Sequence, residues 1–279
     1  MNVTIIGCGY VGSAVARYWG QKLGRVVTAT TTSNQRVAEL KEVAQHVVVM
    51  KGDNEISLRS VIQNQYAVLL SVAPTGNQQV EAEIYEETYL RTAKNLVAAL
   101  KLVPTVKQLI YTSSCSVYGD REGEWVNEES PVAPVNGQGQ ILCDTEQVLL
   151  EASGEDLNVC ILRLGGIYGP SREMSDRFGR FAGTTLPGTG NNFTNWSHLD
   201  DIVSAVEFAL GQRLQGIYNL VNDDHLMMRE LFDLVCERHG LPKIEWEPSI
   251  PKAQPYNARV SNQKLKTAGY QFIHSHCLD

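Results

Sequence analysis

The stretch Val3-Thr4-Ile5-Ile6-Gly7-Cys8-Gly9-Tyr10-Val11-Gly12 decides the reading of this chain. An apolar, β-branched run enters a GxGxxG turn, and a helix opens at Ser13, which is the layout of a dinucleotide-binding βαβ unit. Each glycine answers a separate need. Gly7 permits the tight turn, Gly9 lets a pyrophosphate approach the backbone, and Gly12 lets helix and strand pack closely. The phosphates then rest on backbone N–H groups around Tyr10 and Val11, at a helix N-terminus whose dipole favours negative charge. Three glycines in an ordinary turn are the alternative, and the strand before and helix after them argue against it.

Beyond the turn, the helix runs to Leu23 and stops at Gly24, and Val26 to Ala29 forms the second strand. An NAD-specific unit places an Asp or Glu near the end of this strand, on the ribose 2′-hydroxyl. This chain has Thr30-Thr31-Thr32-Ser33-Asn34-Gln35-Arg36 instead. A carboxylate would repel a 2′-phosphate, whereas hydroxyls and a guanidinium donate to one. The expectation is NADP(H), with NAD(H) as the other option, and with Thr31, Ser33 and Arg36 as contacts. The competing reading has these residues capping a helix Asn34 to Val43, with Arg36 solvated.

Further on, strands His46 to Met50, Tyr66 to Val72, Lys107 to Thr112 and Val159 to Leu164 alternate with helices Ile56 to Gln63, Val80 to Leu100 and Gln140 to Ala152. That alternation implies a doubly wound parallel α/β sheet, in which ligands bind beyond the strands' carboxyl ends. Asp53, Val72, Ala73 and Pro74 fall at such ends and are expected to border the cofactor. In the long helix Ile84, Thr88, Tyr89, Thr92, Leu96 and Leu100 read as a core-facing stripe.

Composition narrows the function classes. The chain has 279 residues, with 31 acidic against 24 basic and a net charge of −7. No Lys/Arg run stands out, so nucleic acid and anionic membrane are not expected partners. The six cysteines are scattered without CxxC pairs, the pattern of reduced thiols in a cytoplasmic protein. No signal peptide or bilayer-spanning apolar run is evident. The expected partner is a small-molecule substrate, and a homodimer is compatible with the sequence.

The fifth strand runs into Ser113-Ser114-Cys115-Ser116-Val117-Tyr118-Gly119. With the glycine turn, Glu129-Ser130-Pro131 and Pro134, Leu162-Arg163, Gly166-Ile167-Tyr168-Gly169-Pro170 and Trp196-Ser197-His198-Leu199-Asp200-Asp201, this makes a collinear set reaching to about residue 221. On that set the chain resembles an extended short-chain dehydrogenase/reductase of the NAD-dependent epimerase/dehydratase group, which includes UDP-glucose 4-epimerase. The resemblance implies a Rossmann domain over 1–165, with 196–222 returning to it, and a smaller substrate lobe over 166–279. It also implies a catalytic Ser, carried onto Ser114, followed by a Tyr and a Lys four residues apart on the next helix.

Those last two are missing. The flanking matches at Pro134 and Glu146-Gln147 put Gln138 at the Tyr position and Leu142 at the Lys position. A carboxamide has no proton to exchange near neutral pH, and leucine cannot depress a phenol whose ordinary pKa is about 10. Tyr118, Tyr168 and His198 are the replacement donors to consider, against structural or substrate-binding roles for each. The resulting expectation is an epimerase/dehydratase-like oxidoreductase with a degenerate Tyr-Lys pair, acting on a sugar, nucleotide-sugar or small polyol or carbonyl compound. The alternative is a non-catalytic NADP(H)-binding redox sensor or regulatory protein.

In the second lobe Arg163, Arg172, Arg177, Arg180 and Arg259 are scattered through segments that the family uses to hold a nucleotide diphosphate, where solvated surface roles compete. Helices Ile202 to Leu210, capped by Asp200 or Asp201, and Met228 to His239 are expected, with a strand Tyr218 to Val221 and an irregular stretch from Pro242 to Pro255. The terminal His274-Ser275-His276-Cys277 reads as a disordered tail, and no metal site is expected.

Overall fold

The computed structural model describes residues 1–74, 81–250 and 256–278. The chain begins with β1 (Asn2–Ile6), α1 (Tyr10–Arg17) extended by a π turn (Tyr18–Lys22), and β2 (Val26–Thr31). A 3-10 turn (Asn34–Arg36), α2 (Val37–Lys41), β3 (His46–Val49), α3 (Glu55–Ile62) and β4 (Ala67–Leu70) follow. Next come α4 (Ala82–Tyr85), a π segment (Glu86–Arg91), α5 (Thr92–Leu100), β5 (Gln108–Ser114), a 3-10 turn (Cys115–Tyr118), β6 (Asp120–Val126) and α6 (Gly137–Leu150). The rest comprises β7 (Asn158–Leu164), β8 (Gly166–Tyr168), α7 (Met174–Gly179), β9 (Thr185–Pro187), β10 (Trp196–His198), α8 (Leu199–Gly211) and β11 (Gly216–Leu220). It closes with α9 (Met228–His239), β12 (Glu245–Glu247), β13 (Asn257–Val260) and α10 (Gln263–Thr267).

Seven strands form one sheet in the order β11-β7-β5-β4-β1-β2-β3. The pairs β1–β2, β2–β3, β1–β4 and β4–β5 are parallel, with Val3 opposite both Val27 and Ala67. Strands covered on both faces must be apolar almost throughout, and β4 is buried at every residue. The chain winds from β1 outward to β3, then crosses back to β4 on the other side of β1. The strand order therefore reverses beside the carboxyl ends of β1 and β4, the place where such sheets leave a crevice for a ligand. The fold is the doubly wound α/β sheet read from the sequence.

The chain divides into two compact units. The first comprises 1–113, 136–162 and 203–217, and the second 114–135, 163–202 and 218–279. Leu58, Ile62, Leu70, Leu96, Tyr111 and Ile161 belong to the core of the first, and Tyr168, Phe178, Trp196, Leu231 and Phe232 to that of the second. The sequence reading assigns 114–135 and all of 196–222 to the Rossmann part. The structure groups 114–135, 196–202 and 218–222 with the second unit, because β6 pairs with β13 and β10 with β8.

Other differences have local causes. Helix α6 starts at Gly137 because Asn136 caps it, its side-chain oxygen accepting from the Gly139 amide at 2.8 Å. Helix α8 starts at Leu199, and its Asp200 amide donates to His198 Nδ1 rather than to an Asp cap. Ile84, assigned to the core stripe, is 46% exposed, whereas Thr92, Leu96 and Leu100 are buried. Strand β12 lies in a stretch read as irregular. The expected helix start at Val80, the Thr75-Gly76 pair after Pro74, and the end of the Pro-rich stretch lie outside the described residues. Among the described residues no helix is long and apolar enough to cross a membrane.

Candidate functional site

The glycine turn has the geometry its spacing demands. Gly7 has φ +91°, and a Cβ there would lie 2.6 Å from the Ser71 carbonyl oxygen. A Cβ on Gly12 would lie 2.4 Å from the Gly7 carbonyl oxygen and 3.2 Å from Ile5. At Gly9, by contrast, a Cβ meets nothing within 4 Å, so this backbone faces open space. Two glycines thus serve close packing, and one leaves a bare approach to the turn. Gly9 supplies no side-chain cap to α1 and the first turn, which includes Tyr10 and Val11, carries no acid. The positive end of the helix dipole is left for an anion. The turn is anchored to β2 by Gly7 N–H donating to Thr30 Oγ1 (3.1 Å) and Cys8 N–H to the Thr30 carbonyl (2.9 Å). Burial pushes the Cys8 thiol up to about 12, so it stays protonated and inert.

At the end of β2, Thr31 is buried and its hydroxyl accepts from the Ser33 amide at 3.2 Å. Ser33 makes no side-chain cap to the 3-10 turn it precedes. Arg36 folds back over the glycine turn. Its guanidinium donates to the Cys8 carbonyl, to Ser13 Oγ (3.1 Å) and to Glu39 (2.9 Å). It is therefore held at the turn, not left in solvent. Glu39, bonded to Arg36, is shifted below the usual carboxylate range.

Asp53 is exposed after β3, and its carboxylate accepts from the Asn54 side chain at 3.3 Å. Val72 and Pro74 are half-buried and Ala73 is exposed, directly after β4. All the residues read as cofactor contacts belong to the first unit and sit at or just beyond the carboxyl ends of β1 to β4.

Ser114, the last residue of β5, belongs to the second unit. Its hydroxyl caps the 3-10 turn, accepting from the Ser116 amide (3.1 Å) and lying 2.9 Å from the Ser116 hydroxyl. Gln138 and Leu142 belong to the first unit, one turn apart on α6. Gln138 is half-buried and Leu142 is 6% exposed. The next residue along this face is Glu146, also buried, whose carboxylate accepts from Ser113 Oγ at 2.5 Å. The sequence reading used Glu146 only to set the register. Its i+4 spacing from Leu142 was the available signal that it shares this face.

The replacement donors are committed elsewhere. Tyr118 is fully buried, donates to Asn219 Oδ1 at 2.8 Å and has the Arg163 guanidinium 4.8 Å from its ring centroid. Burial, despite Arg163, raises its pKa well above that of an ordinary phenol. Tyr168 donates to the His276 carbonyl at 3.2 Å and is raised in the same way. Burial and then His274 lower the pKa of His198. None of the three environments matches a proton donor tuned to neutral pH.

Nor are the second unit's arginines merely solvated. Arg177 lies over Trp196, Arg180 over Phe181, and Arg259 over both Trp125 and Phe193. Burial, then Arg172 and Arg180, draw the proton affinity of Arg177 down. The C-terminal residues are tied down, contrary to the disordered tail of the sequence reading. Asp201 accepts from the Ile273 and His274 amides, and Asp224 from the Cys277 amide.

Comparison with known proteins bears on this geometry. The model of the NAD dependent epimerase/dehydratase family matches residues 3–220. Protein YeeZ of Escherichia coli K12 is 28% identical over 254 residues, spanning 89% of this chain and 88% of that one. Among solved structures, the UDP-Glc/GlcNAc 4-epimerase of Campylobacter jejuni superposes with a TM-score of 0.81 at 18% identity, covering 99% of this chain and 95% of its own. DesIV, a dTDP-glucose 4,6-dehydratase of Streptomyces venezuelae solved with NAD and TYD bound, superposes with a TM-score of 0.78 at 19% identity, covering 97% and 92%.

Proposed function

This chain belongs to the NAD dependent epimerase/dehydratase family, and from that premise we propose that it binds a nicotinamide dinucleotide on the Gly7–Gly12 turn and acts on a sugar-nucleotide-like or small carbonyl compound. The observation that carries the binding is the contrast among its glycines: backbone blocks a side chain at Gly7 and Gly12 and nothing approaches one at Gly9. The donor set fits the group, since uncapped amides at the start of α1 receive the pyrophosphate.

Arg36, with Thr31 and Ser33 near it, supports NADP(H) over NAD(H). No carboxylate follows β2 directly, and the guanidinium is already held at the turn where a 2′-phosphate adds charge-assisted hydrogen bonds. Asp53, Val72, Ala73 and Pro74 would border the adenosine and nicotinamide ribosides. When bound, the nicotinamide supplies hydride exchange at carbon. Ser114 orients the substrate oxygen by its hydroxyl. Gln138, on the first unit, carries an amide donor but no transferable proton, and Leu142 supplies no charge. The guanidinium groups of Arg177 and Arg180 suit an anionic substrate of the kind that the Campylobacter and Streptomyces enzymes' names describe.

A second reading, a dinucleotide sensor without turnover, draws on the buried leucine at the Lys position and on the engagement of Tyr118 and Tyr168. Two measurements separate the readings. Fluorescence titration with NADPH and NADH tests the cradle, and absence of affinity for both overturns either reading. NADPH oxidation is then assayed with UDP-sugars, dTDP-sugars and simple ketones. Turnover that Ser114→Ala removes supports the enzyme, and tight binding with no turnover supports the sensor.

A further inference from the structure

The C-terminal strap brings two histidines and a carboxylate together at the start of α8. His198 is the last residue of β10, Asp200 lies in the first turn of α8, and His274 comes from the strap, all within the second unit. Their ligand atoms lie within 4.8 Å of one another. His274 Nε2 is 3.2 Å, and His198 Nδ1 3.6 Å, from the same Asp200 oxygen. A tetrahedral ion with bonds of roughly 2.0–2.1 Å separates its ligand atoms by about 3.4 Å, so two of the three edges already have the needed length.

Three further features point to an ion and away from a simple hydrogen-bond cluster. The imidazole rings lie with centroids 3.6 Å apart at an interplanar angle of 43°, and both address a single carboxylate. One ring would suffice for a structural hydrogen bond. His198 Nδ1 accepts from the Asp200 amide at 3.1 Å, which puts its ring proton on Nε2 and keeps Nδ1 unprotonated, its lone pair held by that amide until an ion takes it over. His274 is fixed from outside the cluster, because the buried Asp201 carboxylate accepts from the Ile273 amide (2.7 Å), the His274 amide (3.1 Å) and the Tyr270 hydroxyl (3.1 Å). Beyond it, the Ser275 carbonyl accepts from the Asp223 amide at 2.8 Å. The strap is pinned on both sides of the histidine it presents.

We propose that His198, Asp200 and His274 form a site for a divalent transition metal of the zinc class, which clasps the C-terminal strap to the start of α8. The ion takes the His198 Nδ1 lone pair in place of the Asp200 amide. Imidazole and carboxylate are the ligands such ions accept. The fourth position falls to water on the Asp200 side, where that side chain is 56% exposed.

The test uses the full chain, stripped with chelator and titrated with ZnCl2 by calorimetry, with CoCl2 as a visible-absorption probe of coordination. One ion per chain at micromolar affinity or tighter is expected, with the Co2+ spectrum of a four-coordinate site. His274→Ala and Asp200→Asn each weaken binding by at least about tenfold. His276→Ala, the neighbouring histidine of the same strap, leaves it unchanged. Zinc also slows carboxypeptidase trimming of the wild-type chain. No saturable binding up to millimolar zinc overturns the proposal, as does wild-type affinity in His274→Ala or an equal loss in His276→Ala. If His274→Ala melts early, Asp200→Asn decides, because that side chain is largely exposed.

Discussion

The glycine turn at residues 7–12 and the helix face at 138–146 are the two stretches to which the resemblance assigns cofactor and catalyst, and they differ in kind. At the turn two positions are tight and one is open: a methyl group on Gly7 or Gly12 would overlap backbone, and one on Gly9 would meet nothing. On the helix face both ends are tied down, and the side chains between them carry no exchangeable proton. Asn136 caps α6 and Glu146 is tied to Ser113, while the positions between them hold a carboxamide and a buried leucine. Holding a dinucleotide and moving a proton therefore place independent demands on the sequence. The first is met by backbone and the second by side chains, so one can be lost while the other persists.

The sharpest way to break this contrast is to refill the helix face. Gln138→Tyr with Leu142→Lys is expected to raise NADPH-dependent carbonyl reduction by roughly 10²- to 10⁴-fold, the range of positioned acid-base catalysis, without altering cofactor affinity. An unchanged rate in a variant that still melts cooperatively would mean that the missing pair is not what limits turnover. On the other side of the comparison, Gly12→Ala drives a methyl group against the Gly7 carbonyl. A stability loss of about 1–3 kcal/mol is expected in urea unfolding, together with a fall in dinucleotide affinity of at least about tenfold. Wild-type binding by this variant would remove the turn from the site.

Arg36→Glu should act more selectively. The charge-assisted bonds at stake are each worth about 1.5–3 kcal/mol, so the NADPH to NADH affinity ratio should fall by about tenfold or more, with NADH binding little changed. A ratio that does not move assigns Arg36 to bracing the turn alone. The smallest effect is one of pH. Burial lowers the pKa of His225 from the ordinary 6.5, against the opposing pull of Asp223 and Asp224. The unfolded chain then takes up a proton that the folded one refuses. Stability is intact above the ordinary imidazole range and declines as pH falls below it. His225→Phe should flatten that decline in melting temperature between neutral and mildly acid pH.

Much of the turn was legible because its demands are local. Glycine spacing, the β-branched run before it and the missing acid after β2 lie within a few dozen consecutive residues. The return of Arg36 to the Cys8 carbonyl was not legible, since it depends on where the 3-10 turn at Asn34–Arg36 aims the side chain. The places of Gln138 and Leu142 could be read only against a family register, whereas the Ser113–Glu146 bond needed coordinates. The C-terminal strap was misjudged for the same reason. Polar composition suggested disorder, but Asp201 and Asp224 are partners distant in sequence, and no window around His274 contains them.

The two units pass the chain back and forth, at 113, 135, 162, 202 and 217. Neither is a continuous piece of the polypeptide, so a ribosome that has finished residue 217 has made all of the first unit and only fragments of the second. The last 62 residues, 218–279, supply β13 for β6 and the strap that Asp201 holds. A premature stop there, or a tag that frays the C-terminus, would be felt first at β6 and beside His198, far away in sequence, and not at the glycine turn.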